Sequence, residues 1–440
     1  MSVQSETAVA SRTINLITMG CSKNLVDSEH LMRQLEASGW RLVHNGEVQD
    51  ARTVVVNTCG FISDAKKESV DMILRCVRAK QEGMIDRLFV MGCLSDRYKD
   101  ELQEEIPEVD AFFGARTLDD VLEALQAERH AELCRERKIT TPSHYAYLKI
   151  AEGCNRTCSF CIIPQIRGPY VSRPMEEVVD EARWLASQGV RELLVIAQDL
   201  TCYGLDLYKQ QMLPELVRRL CAIDDIEWVR LHYMYPVRFP MEILDMMQTE
   251  PKLCKYVDIP VQHVSSEVLH KMRRHITSEK TRELLQTIRE KVPGVTIRTT
   301  LLVGHPGEGK EEFEELVRFV KETGFDRLGV FTYSHEENTY ADNHYSDEVP
   351  ERVKKERADR IMKLQSRISA ARNEEKVGET CRVIIDREEE EWYVGRTEGD
   401  SPEVDGEVLV EKSAPLQTGC FYEVRITGAM EYDLTGTPLV

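Results

Sequence analysis

Short apolar runs alternate with amphipathic stretches between residues 13 and 127. The runs at 14–19, 53–57 and 88–91 are rich in Val, Ile and Leu, as strands buried on both faces of a parallel sheet are. The 3.6-residue period between the first two predicts a helix over 27–38, with Asp27 as N-cap and Gly39 just past its end. A second helix is predicted over 63–80. This βαβ rhythm implies an N-terminal doubly wound α/β domain, placed at residues 13–135.

From 140 to 375 the strand–helix rhythm continues. Strands are predicted at 147–151, 192–197, 228–232, 256–259, 296–302 and 327–331. The intervening helices include 175–187, ended by Gly189, and 310–323, ended by Gly324. Six βα units fall short of the eight that close a barrel, so a partial (βα)6 barrel is expected, with a long charged helix over 350–375 leading out. The period then shortens. Strands at 381–385, 392–396, 407–410 and 422–426, separated by Gly, Pro and acidic turns, predict a small antiparallel β-barrel over 376–440.

Composition narrows the function classes. The 440 residues carry a formal net charge of −19, which argues against a nucleic-acid backbone as main partner, since that role draws on clustered Lys and Arg. A basic macromolecule suits the charge better. The imbalance concentrates in residues 376–440, where six Lys or Arg face fifteen Asp or Glu, with Glu388 to Glu391 the densest run. No apolar run approaches the ~20 residues a membrane helix needs. Residues 1–12 lack the basic start and apolar core of a signal peptide and are expected to form a disordered tail. Thirteen cysteines without such a signal favour metal chemistry in a reducing cytoplasm over a disulfide framework.

Six cysteines carry the candidate chemistry. Cys154, Cys158 and Cys161 fall within eight residues, in the loop after the first predicted barrel strand, the end of a barrel where active sites are built. Such crowding points to one metal centre. Three thiolates give an iron–sulfur cubane all but one of its usual ligands and leave one iron open to a small molecule. A zinc knuckle or three structural cysteines are the alternatives, but zinc takes four ligands and the closest His is His144. Cys21, Cys59 and Cys93 each directly follow a predicted strand, and loops from neighbouring parallel strands converge at their carboxyl ends. They are read as a second three-thiolate site, against the alternative of single buried cysteines acting as small hydrophobes.

Several motifs together resemble the methylthiotransferase branch of the radical S-adenosylmethionine (SAM) superfamily. They are the runs from Gly20 to Glu29, Asn57 to Ile62, Gly92 to Leu94, Glu152 through Pro164 to Arg167-Gly168, Val303 to Glu308, and Tyr432 to Gly436. Ser22 and His305 depart from the pattern, which generally has Pro and Phe there. The resemblance implies a central radical SAM barrel and a C-terminal TRAM barrel, with two 4Fe–4S clusters and SAM as cofactors. One cluster would be held by Cys154, Cys158 and Cys161 for reductive cleavage of SAM. The other, on Cys21, Cys59 and Cys93, would carry sulfur. Phe160, Gln198 and Asp199 are the candidate SAM contacts, and no acid–base residue is assigned.

Within the branch, Ser22-Lys23-Asn24, Ile162-Ile163-Pro164 and Ala197-Gln198-Asp199 are most similar to enzymes that methylthiolate the β-carbon of an aspartate in a basic small-subunit ribosomal protein, protein twelve. The alternative is an enzyme acting on isopentenyladenosine in transfer RNA, and an acidic third domain disfavours it. The resemblance also implies a reductant such as flavodoxin or ferredoxin, a sulfur donor, and no membrane.

Overall fold

The computed structural model describes residues 12–439, so the tail expected over 1–12 lies outside the described residues except for Arg12. The chain forms two compact units. The first holds residues 12–141 together with 147–156 and 162–185; the second holds 142–146, 157–161 and 186–439.

The first unit is built on a five-stranded parallel sheet. Its strands are β1 (Thr13–Thr18), β2 (Arg41–His44), β3 (Thr53–Thr58), β4 (Arg87–Gly92) and β5 (Ala111–Phe112), in the order β2-β1-β3-β4-β5. Side chains alternate between its faces. Ile17, Val54, Val56, Leu88 and Val90 pack with Ile73, Cys76 and Val77 of helix Ser63–Gln81. Ile14, Leu16, Val55, Phe89 and Met91 pack with Leu31, Met32 and Leu35 of helix Ser22–Ala37 on the other.

That second helix corrects the sequence reading. It starts at Ser22 with Cys21 in the N-cap position, so Asp27 lies one turn inside and is no cap. Its carboxylate faces Lys149 and Arg167 instead. A further helix, Cys93–Glu105, begins at a candidate ligand.

The second unit holds a six-stranded sheet that starts with β6 (Tyr145–Lys149), whose first residues belong to this unit. A two-stranded ribbon in the first unit, β7 (Ala151–Glu152) and β8 (Val171–Ser172), follows it in the chain. The sheet continues with β9 (Glu192–Ile196), β10 (Trp228–Leu231), β11 (Leu253–Asp258), β12 (Thr296–Val303) and β13 (Arg327–Thr332). The order is β13-β12-β11-β10-β9-β6, parallel from β9 onward. With β6 and β13 as its edges, the sheet stays an open, partial barrel. Helix Lys310–Thr323 ends at Gly324, whose φ of 56° supplies the left-handed cap.

Helix Glu351–Glu375 leads to a closed barrel of β14 (Thr380–Glu388), β15 (Trp392–Thr397), β16 (Val408–Glu411), β17 (Phe421–Ala429) and β18 (Leu434–Pro438). Val383, Ile385, Val408, Val410, Val424, Ile426 and Leu434 fill it. The barrel is antiparallel except for β16 and β18, which pair in parallel. Among the described residues no helix is long and apolar enough to cross a membrane.

Candidate metal centres

Cys21, Cys59 and Cys93 follow β1, β3 and β4, which are immediate neighbours in the first sheet. Thr18 lies opposite Asn57 and Thr58 opposite Gly92, so the three cysteines leave the sheet at one edge. Close approach shows in the glycines beside them. A Cβ on Gly20 would stand 2.7 Å from Cys59 Cβ, and one on Gly60 would stand 2.8 Å from the Cys93 carbonyl oxygen. Gly20 and Gly92 also take φ of 91° and 103°, conformations open to glycine and costly for other residues. All three thiols are free.

Asn24, in the first turn of helix Ser22–Ala37, ties these strand ends together. Its Nδ2 donates to the carbonyls of Met19 and Thr58, both at 2.9 Å, and its Oδ1 accepts from the Cys93 thiol at 3.7 Å. Arg167 approaches the same point. Its Nε donates to Cys93 Sγ at 3.3 Å, and its other nitrogens reach Asn24, Asp27 (2.9 Å) and Glu152 (3.1 Å). Burial pushes the Cys93 thiol up to about 12, and Arg167 opposes that shift. Burial would weaken the guanidinium's own charge, but Asp27, Cys93 and Glu152 outweigh it and hold Arg167 protonated. A cavity of about 300 Å³ adjoins Asp27, Lys149 and Glu152.

In the first unit Cys154 is buried, and its sulfur accepts from the Arg156 amide at 3.4 Å. Its own amide donates to the Gly168 carbonyl at 3.1 Å. Gly153 before it has φ of 75°, and a side chain there would collide with the carbonyls of Gly168 and Pro169.

In the second unit the Cys161 amide closes a turn on the Cys158 carbonyl at 3.1 Å. Ser159 pins that turn three times: its amide to the Met272 carbonyl (3.0 Å), its carbonyl from the Ala341 amide (2.8 Å), and its hydroxyl to His305 Nε2 (2.9 Å). Arg274 Nη1 donates to Cys158 Sγ at 3.5 Å, and the Tyr235 hydroxyl lies 3.7 Å from the same sulfur. The guanidinium stacks 4.1 Å from the Tyr235 ring centroid.

His305, which departs from the family pattern, is an anchor. Burial, above all, holds its ring pKa down to about 4, so the ring is neutral. Its Nδ1 lies 2.9 Å from the Pro306 carbonyl, which can only accept, so Nδ1 carries the proton and Nε2 accepts from Ser159.

Phe160 is half-buried against Val268, Met272, Leu302, Tyr333 and Ala341. Gln198 and Asp199 follow β9 at its carboxyl end. Asp199 caps the short turn Leu200–Cys202, accepting from the Thr201 amide (2.9 Å) and hydroxyl (2.7 Å). Of the residues that touch the thiols, Asn24 and Arg167 stood inside quoted motifs without a role. Tyr235 and Arg274 carried no signal in the sequence.

Among the described residues no three His, Cys, Asp or Glu side chains converge tightly enough to hold one metal ion. A cubane asks for a wider frame, because each thiolate binds a different iron. Two sets of three thiols, with an arginine donating to one sulfur of each set, suit that group by the chemistry of their donors.

The open parallel sheet and the cysteine loop after its first strand define a radical SAM protein, and the matching family models agree. Radical SAM superfamily matches residues 148–320, Uncharacterized protein family UPF0004 matches 13–114, and TRAM domain matches 377–439. A radical S-adenosylmethionine methyltransferase, TsrM from Kitasatospora setae, shares the fold at TM-score 0.53. It is 18% identical and covers 73% of this chain and 75% of its own.

The ribosomal protein uS12 methylthiotransferase RimO of Parabacteroides distasonis is 55% identical, covering 97% of this chain and 99% of that relative. The enzyme of the same name from Flavobacterium johnsoniae is also 55% identical, covering 97% and 98%. The chain belongs to the RimO family of radical SAM methylthiotransferases.

Proposed function

We propose that this chain methylthiolates the β-carbon of an aspartate in ribosomal protein uS12. The observation that carries the reading is the near-full-length match to relatives named for that activity, in a chain with two separate thiol triads. Cys154, Cys158 and Cys161 would hold one 4Fe–4S cluster with an iron left for SAM. Cys21, Cys59 and Cys93 would hold a second that carries sulfur. When bound, SAM and its cluster supply the one-electron chemistry that opens an unactivated C–H bond, and the protein's part is placement and exclusion of water.

The residues around each triad serve that placement. Ser159 and His305 fix the turn bearing Cys158 and Cys161. Asn24 fixes the strand ends bearing Cys21 and Cys59. Phe160, Gln198 and Asp199 remain the candidate SAM contacts, with Asp199 holding the turn beside Gln198. The domain limits 13–135, 140–375 and 376–440 belong to the same reading. So do action in the cytoplasm, a flavodoxin- or ferredoxin-like reductant, and a separate sulfur donor.

The acidic C-terminal barrel supports a basic protein substrate over tRNA. The Glu388 to Glu391 run is exposed at the end of β14 and in the turn to β15, where it would repel a phosphate backbone, within about 8 Å at physiological salt.

The test is anaerobic reconstitution followed by incubation with uS12 or tRNA, SAM, a sulfide source and dithionite. Gain of one SCH3 in place of hydrogen on an aspartate of uS12 is expected. The same gain on a tRNA nucleoside, with uS12 unchanged, would replace this reading by the tRNA one.

A further inference from the structure

Each thiol triad receives one buried arginine, and the two arginines differ in how their charge is balanced. Arg167, 1% exposed, donates to Cys93 Sγ but also to Asp27 and Glu152. Lys149 pairs with the same two carboxylates, reaching Glu152 at 2.8 Å. The quartet of two cations and two anions carries no net charge. The field it sends toward Cys93 is that of a dipole.

Arg274, 3% exposed, is arranged otherwise. Its described hydrogen bonds run to Cys158 Sγ and to the Pro260 carbonyl, its face lies on Tyr235, and its buried Nε has no partner. No carboxylate stands among its described partners. A whole positive charge therefore sits beside Cys158, in a buried site where Coulomb energies are far larger than in water.

A cubane on three thiolates is negatively charged, and each electron it accepts makes it more so. Nearby positive charge and hydrogen bonds to the sulfurs therefore favour the reduced form. We propose that Arg274 raises the reduction potential of the cluster on Cys154, Cys158 and Cys161 above that of the cluster on Cys21, Cys59 and Cys93, where Asp27 and Glu152 neutralise Arg167. An electron from a one-electron reductant then settles on the cluster that cleaves SAM and leaves the sulfur-carrying one oxidised. The inference rests on the two-cluster reading above.

The experiment is an EPR-monitored redox titration of the reconstituted full-length chain, with dithionite and without SAM. Variants lacking one triad, Cys154→Ala/Cys158→Ala/Cys161→Ala or Cys21→Ala/Cys59→Ala/Cys93→Ala, assign the two signals. The Cys154-triad midpoint is expected to be the higher. Arg274→Met should make its reduction at least tenfold less favourable, about 59 mV for one electron, without moving the other cluster. Arg274→Lys, which keeps the charge and loses the planar fork, should fall between.

Equal or inverted midpoints in the unmutated chain would overturn the proposal, whether or not Arg274→Met folds. So would an unmoved midpoint in the Arg274 variants that load iron. Iron and sulfide counts judge the two-cluster reading separately: a chain that loads one cluster refutes that reading, and the Arg274 shift then decides what this side chain does.

Discussion

Glu192 Oε2 accepts a hydrogen bond of 2.8 Å from Arg396, joining strand β9 of the open sheet to strand β15 of the C-terminal barrel. Its Oε1 accepts from Arg230 Nε, also at 2.8 Å, and all three side chains are buried. Burial raises the carboxyl's pKa, but Arg396 and Arg230 outweigh it and the net shift is downward. Glu192→Ala would leave Arg230 with no carboxylate among its described partners, while Arg396 keeps Asp386, and is expected to cost about 3–5 kcal/mol. Urea unfolding of the cofactor-free chain measures this, and a loss below about 1 kcal/mol would mean that water replaces the carboxylate.

Glu308 gives a pH dependence of defined sign. Burial pushes its carboxyl up to about 7, against the pull of Arg357 and the Gly304 amide. Its Oε2 lies 3.7 Å from the buried Nε2 of His263. The folded pKa lies above the unfolded value, so the stabilisation is fully present below about pH 4.5 and fades as pH rises through about 7. Comparing urea midpoints at about pH 5 and about pH 8 should show a fall in the parent chain and a flatter response in Glu308→Gln. Parallel responses in the two proteins would contradict the assignment.

Gly153→Ala tests the entry to the cysteine loop. With φ of 75° and the carbonyls of Gly168 and Pro169 against it, the position has no room for a methyl group. The backbone conformation alone costs roughly 1–2 kcal/mol, and relief would displace Cys154. Lower thermal stability and reduced iron at the Cys154 triad are expected, with the Cys21 triad still loaded.

His305→Phe keeps an aromatic ring of similar size but removes the acceptor of the Ser159 hydroxyl. The buried hydroxyl then loses its partner, at about 1–3 kcal/mol. Ser159→Ala in the same background should recover part of that loss, because no unpaired hydroxyl remains. Additive losses in the double variant would show that the two side chains act independently.

These contacts mark what was legible in the chain and what was not. Strands β1, β3 and β4 announced themselves because they are buried on both faces. Edge strands β2 and β5 did not, having four and two residues and too little apolar surface to form a pattern. Asp27 looked like a helix cap because acidic residues favour that role, whereas the helix starts behind a cysteine that makes no side-chain cap bond. The six cysteines stood out as candidates through spacing and strand position. Arg167 and Arg274 were not, since a guanidinium finds its thiol through tertiary packing that no local period records. Strand β18, with Gly436 and Pro438 in five residues, lacks apolar alternation and forms because the barrel must close.

That closure constrains how the C-terminal module can touch anything else. An open sheet offers a row of unpaired amides and carbonyls to which a visiting peptide can zip as an extra strand. A ring of five strands, each bonded on both sides, has no such seam. A visitor must therefore read the side chains projecting from the wall and its turns. Grip of that sort comes and goes with ionic strength, and needs no remodelling of the hoop to let go.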